Sequence, residues 1–91
     1  MPNQTLTLIN PLGLHARAAA KLVDVAKQYG AQIQISVSDG QPVDAKSIMA
    51  LLMLGAPVDS EVSVHTEGAD ADDAMQAIAE LINAGFYELD E

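Results

Sequence analysis

The chain has 91 residues, a formal net charge of −9 and no cysteine. That length supports one domain, spanning residues 1–91, with a modest core, and the missing cysteine excludes a disulfide framework or a thiolate metal site. The acidic balance argues against nucleic acid, whose binding rests on Lys and Arg neutralising phosphates.

In chain order, TLTLI (5–9) alternates, with Leu6 and Leu8 on one side and threonines on the other, as a half-buried strand does. Pro11 and Gly13 then mark a turn, after which Ala19, Leu22, Val23 and Ala26 recur at helical spacing from Ala16, with Gly30 suited to the stop. QIQISV (32–37) alternates again, Ile33, Ile35 and Val37 sharing a face. Ser38-Asp39-Gly40 signals a hairpin into a short strand near Val43, which Pro42 places at a sheet edge. IMALLML (48–54) is apolar on too many sides for a helix packed on one face only, which leaves open a wholly buried helix or strand, or a helix with part of its apolar surface exposed. EVSVHT (61–66) turns Val62 and Val64 inward. Asp70 can then cap a closing helix, with Asp72 and Asp73 in its first turn and Ala74, Met75, Ile78, Leu81 and Ile82 buried before Gly85 ends it.

The order is β-α-β-β-α-β-α, and strands with one polar face imply an antiparallel sheet with its helices gathered on the other. The fold class is α+β. The first residues lack the basic start and apolar run of a signal peptide, and no stretch approaches a membrane span. A cytoplasmic monomer without membrane insertion is expected, with no cofactor and no metal.

At NPLGLHARAAAKL (10–22) the helix opens not on Ser, Thr, Asp or Asn, the usual acceptors for free first-turn N–H groups, but on His15. A helix N-terminus is a ready anion site, Arg17 can add a charge-assisted hydrogen bond to phosphate, and Lys21 lies one turn further on. A neutral imidazole also suits the positive end of the helix dipole, and its free nitrogen is a nucleophile. All four basic residues, Arg17, Lys21, Lys27 and Lys46, fall in the first half, which suggests a small positive spot on an acidic body. These features alone also fit an incidental turn histidine.

The segment NPLGLHARAAAKLV resembles the active-site segment of the HPr-family phosphocarriers of the phosphoenolpyruvate-dependent phosphotransferase system. KSIMALLML resembles the family's second helix, and ALLML with the ending INAGFYELDE is similar to the nitrogen-related branch. The resemblance implies an open-faced β-sandwich with a four-stranded sheet and three helices on one face. It also implies that His15 takes a phosphoryl group on Nδ1 from Enzyme I and passes it to an EIIA-type protein. Arg17 and the N–H groups of Ala16 and Arg17 would hold that group. Ala18 stands where many family members have proline, giving up some rigidity beside the site.

Ile48, Met49, Leu52 and Met53, with Ala20 and Lys21, are the docking residues expected from the resemblance. Methionine suits a surface that meets several partners. Ser47 reads as an N-cap, and in Gram-positive relatives the matching serine is the target of an HPr kinase/phosphorylase, so regulatory phosphorylation there is a conditional expectation. His65 is expected on the solvent face of its strand. The alternatives are a sugar-transport HPr with the same chemistry, a binding module whose phosphorylation state toggles partners, and an acyl phosphate hydrolase.

Overall fold

A computed structural model of the chain describes residues 3–37 and 40–87. The elements are β1 (Asn3–Thr7), α1 (Ala16–Ala26), β2 (Gln32–Val37), β3 (Val43–Asp44), α2 (Ile48–Leu54), β4 (Glu61–Glu67) and α3 (Ala71–Asn83), followed by a 3-10 turn over Gly85–Tyr87. The strands form one antiparallel sheet in the order β1-β4-β2-β3. Helices cover one face of it, and the fold is the α+β open-faced sandwich that the sequence implied.

Alternation along the strands decides which face is covered. Leu6, Ile33, Ile35, Val62 and Val64 point into the core, where they meet Leu22 from α1, Leu51 from α2, and Ile78 and Ile82 from α3. Thr66 also points inward, its hydroxyl donating to the carbonyl of Ala71 at 2.9 Å, which removes the cost of burying it. Thr5, Gln34 and Ser63 lie on the open face. The edge position expected from Pro42 holds, since β3 is the outermost strand. The Ser38-Asp39 part of the expected hairpin lies outside the described residues.

Several local expectations need correction. β1 runs over Asn3–Thr7, not 5–9, because the chain leaves β4 at Glu61, the partner of Thr7. Leu8 is still buried, held by an exchange of backbone bonds with Ser60 and Asp59. Helix α1 stops at Ala26 with Lys27 as its C-cap, so Gly30 is not the stop. Asp70 occupies the N-cap position of α3 without capping it. Its carboxylate instead accepts the N–H groups of Gly30 and Ala31 at 2.9 and 2.8 Å, tying the α1–β2 loop to the start of α3. His65 is half-buried in the open face, flanked by Asn3 of β1 and Gln34 of β2, not fully in solvent.

Candidate functional site

Two turns of backbone present His15. The N–H of Gly13 donates to the carbonyl of Asn10 at 3.0 Å, closing a four-residue turn with Asn, Pro and Gly in the positions that a type I turn favours. Gly13 has φ +64°, open to glycine and strained for other residues. A Cβ there would run into the carbonyl of Ala56 and the backbone of Pro57. The Leu14 N–H donates to that same Ala56 carbonyl at 2.9 Å, which fastens the loop to the chain just beyond α2. Leu14 and Ala19 are both buried at the positions of a hydrophobic staple.

His15 follows with extended backbone, φ −87° and ψ −177°, as the N-cap of α1. Its carbonyl takes the first helical bond, from Ala19 at 2.8 Å. Its own cap is the imidazole, whose Nδ1 accepts the backbone N–H of Arg17 at 3.3 Å. An amide N–H can only donate, so Nδ1 carries its lone pair and the neutral ring holds its proton on Nε2. The imidazole therefore does occupy a cap position, and it does a cap's work.

His15 is half-buried, while Ala16 and Arg17 are exposed beside it. The amides of Ala16, Arg17 and Ala18 belong to the first turn, which has no carbonyls four residues back to bond. Ala18 itself is wholly buried; it is a core residue as well as a neighbour of the site.

The positive spot is smaller than the sequence suggested. Lys21 is turned to the closing turn, where Nζ donates to the carbonyl of Phe86 at 2.6 Å. Lys46 is turned to the end of α1, donating to the carbonyl of Tyr29 at 2.8 Å. Lys27 sits at the far end of α1, about 15 Å of helix from Arg17 at 1.5 Å per residue. Of the four cations, Arg17 is the one at His15.

Helix α2 packs beside α1. Ser47 is its N-cap, with Oγ accepting the Ala50 N–H at 3.2 Å, and Gly55 ends it in the left-handed conformation. Leu51 is the buried residue of this helix. Ile48, Met49, Leu52 and Met53 remain exposed, Met53 by 83% and Met49 by 66%. The Ala56–Leu14 bond puts the C-terminal end of this apolar surface beside the His15 loop. Ala20 is half-buried on α1. Leu12, at the tip of the turn and 71% exposed, adds an apolar side chain that the sequence reading did not single out. Asn10 was missed as well, although Asn-Pro-x-Gly is itself a turn signature.

The fold and site define a class: a small α+β sandwich that presents a histidine on a helix N-terminus beside an exposed apolar helix. The family model described as the phosphorylation site of the HPr component of the phosphotransferase system matches residues 2–84. The phosphocarrier protein HPr of Pseudomonas aeruginosa is 49% identical over 88 residues, 97% of this chain and 98% of that protein. The HPr of Cupriavidus necator is 46% identical with the same coverage. Among solved structures, HPr-C-His from Thermoanaerobacter tengcongensis superposes with a TM-score of 0.91 at 38% identity, over 97% of this chain and 98% of that one. HPr from Bacillus anthracis gives 0.84 at 36% identity, over 89% and 95%.

The chain belongs to the HPr family. It is a phosphocarrier of the phosphotransferase system and not an enzyme that turns over a small substrate, which sets aside the hydrolase alternative. No helix among the described residues is long and apolar enough to cross a membrane.

Proposed function

We propose that His15 is the phosphoryl acceptor, and that the chain, a single phosphocarrier domain, serves the nitrogen-related branch of the phosphotransferase system. The observation that carries the first part is the Nδ1 lone pair of His15 lying at the start of α1, 3.3 Å from the Arg17 N–H. In the step itself, that lone pair attacks the phosphorus atom carried by Enzyme I. The new N–P bond forms as the bond to the donor breaks, and the donor atom keeps the electron pair. The transfer to an EIIA-type protein is the same step with His15 as the leaving group.

What Nδ1 gives up on phosphorylation is its bond to the Arg17 amide. A phosphoryl oxygen takes over that donor, joined by the Ala16 amide and the Arg17 guanidinium. An anion at a helix N-terminus gains roughly 0.3–2 kcal/mol, and a charge-assisted bond about 1.5–3 kcal/mol. Stabilisation of that order holds the group without trapping it, as a carrier requires.

Ile48, Met49, Leu52 and Met53, with Ala20, supply the docking surface for Enzyme I and the EIIA-type partner. Their exposure supports this reading, because a helix whose apolar residues are mostly in water is costly unless something covers it. Lys21 contributes to docking through its stem more than its charge, given the bond to Phe86. The acidic body calls for partners with basic rims, so transfer should slow as salt rises.

Ser47 is a conditional regulatory site for an HPr kinase/phosphorylase. A phosphate on Oγ would put its negative charge at the start of α2, directly before the exposed Ile48 and Met49 of the docking surface, where it would act on docking. A Ser47→Asp chain that takes phosphate from Enzyme I as fast as the parent would refute such regulation.

The nitrogen-branch assignment rests on the resemblance of ALLML and the chain ending. A sugar-transport HPr would use identical chemistry. Incubation with phosphoenolpyruvate and each Enzyme I paralogue of the host, followed by intact mass, tests both parts. One acid-labile phosphate on the parent and none on His15→Ala supports the carrier site, and the paralogue that works selects the branch. No phosphate from any paralogue would overturn His15 as the acceptor.

A further inference from the structure

We infer that Asn10 is a positioning residue for His15, an inference that rests on His15 being the phosphoryl acceptor. Asn10 is wholly buried, and the only other buried polar residue among those described is Thr66. A buried amide is costly unless it is bonded, so its presence in a core of aliphatic side chains needs a reason.

An asparagine opening a turn ordinarily accepts a hydrogen bond from its own turn's backbone. Here the side chain does the reverse. Its Nδ2 donates to the carbonyl of Gly13 at 2.6 Å, a bond that a serving acceptor such as ionised Asp could not make. The same carbonyl accepts the backbone N–H of His15 at 3.0 Å. Asn10 and His15 thus share one oxygen as acceptor.

That oxygen is one end of a peptide whose other end, the Leu14 N–H, is held by the Ala56 carbonyl. It belongs to a glycine with φ +64°, whose lack of a Cβ leaves its backbone more freedom than any other residue's. The Nδ2 bond at the oxygen and the Ala56 bond at the Leu14 N–H together fix the plane of the Gly13–Leu14 peptide, and through it the approach of His15 to the first turn of α1. The distance from Nδ1 to the Arg17 N–H is the downstream consequence. A misplacement of about 1 Å at a reacting group costs on the order of 100-fold in rate, so the effect belongs in the transfer step and not in docking, which α2 carries.

The test uses Asn10→Asp, close in shape but without the donor, and Asn10→Ala, which decides the matter if the first variant does not fold. Two quantities are measured on each folded variant. One is the rate of phosphorylation by Enzyme I and phosphoenolpyruvate, with the affinity of the unphosphorylated chain for Enzyme I alongside. The other, taken without phosphate, is the NMR signal of the Arg17 amide proton and the His15 ring nitrogens. The expected result is a rate at least tenfold lower, affinity within twofold, and Arg17 and His15 signals displaced from those of the parent. A rate within twofold of the parent, or an unmoved Arg17 amide, overturns the inference. If the parent itself takes no phosphate, the carrier reading fails separately. The NMR measurement then decides the positioning role alone, an unmoved amide overturning it.

Discussion

The Nδ1 atom of His15 and the backbone N–H of Arg17 are partners at 3.3 Å, so the atom that closes the start of α1 is the same one we propose as the nucleophile. In the proposed reading, cap and acceptor are one atom. Phosphorylation at Nδ1 would replace one acceptor of the Arg17 amide with another, and the helix start would keep a partner in both states.

Separating the two roles of His15 is therefore possible. His15→Asn preserves a good N-cap while removing the ring, and an N-cap oxygen contributes about 0.5–2 kcal/mol relative to Ala. It should melt at or above the parent temperature and take no phosphate. His15→Ala should lose both. Thermal melts with intact mass after incubation with Enzyme I check the pair.

Neighbouring positions on α2 should respond oppositely. Leu51 is wholly buried, and Leu51→Ala should destabilise by about 2–5 kcal/mol. Met49 is 66% exposed; Met49→Asp should change stability by no more than about 0.5 kcal/mol and weaken binding to Enzyme I at least tenfold. Denaturant unfolding and titration calorimetry separate the two outcomes. Unchanged binding by Met49→Asp would remove it from the docking surface.

Gly13→Ala joins a left-handed backbone to a collision with the Ala56 carbonyl. The backbone strain alone costs roughly 1–3 kcal/mol, and relief of the collision must move the His15 loop away from α2. The expected outcome is lowered stability together with slower phosphorylation. A folded variant that accepts phosphate at the parent rate would show that the loop tolerates displacement.

Lys21→Met keeps much of the stem and removes the bond to the Phe86 carbonyl. A hydrogen bond from a charged donor contributes about 1.5–3 kcal/mol, and the half-exposed position here places the loss near the lower figure. Stability should fall while the rate of phosphoryl transfer within the docked complex stays near that of the parent. Denaturant unfolding and single-turnover transfer at saturating Enzyme I measure the two. A large fall in that rate would restore Lys21 to the phosphate site.

Much of this architecture was legible before any coordinates. Period-two alternation in β2 and β4 named Ile33, Ile35, Val62 and Val64 as core, because a pleated strand with one wet face has no other solution. The motif around His15 was legible too, through spacing and the likeness it carries. IMALLML was ambiguous for a definite reason: hydrophobicity states what burial would gain, not whether a neighbour is there to supply it. Only the packing of α2 against α1 decides that Leu51 is covered and Met53 is not.

Polar side chains with long reach were the other boundary. Asp70, Lys21 and Lys46 each sit where a local rule assigned them a cap or a positive field. Their partners are instead the Gly30 and Ala31 amides, the Phe86 carbonyl and the Tyr29 carbonyl, distant in sequence or beyond the turn considered. Local patterning determined the helices, the strands, their inner faces and the histidine at the head of α1, since those depend on neighbours a few residues away. The partners of the charges, the exposure of α2 and the burial of Asn10 were decided by tertiary structure, because each depends on which groups folding brings alongside from elsewhere in the chain.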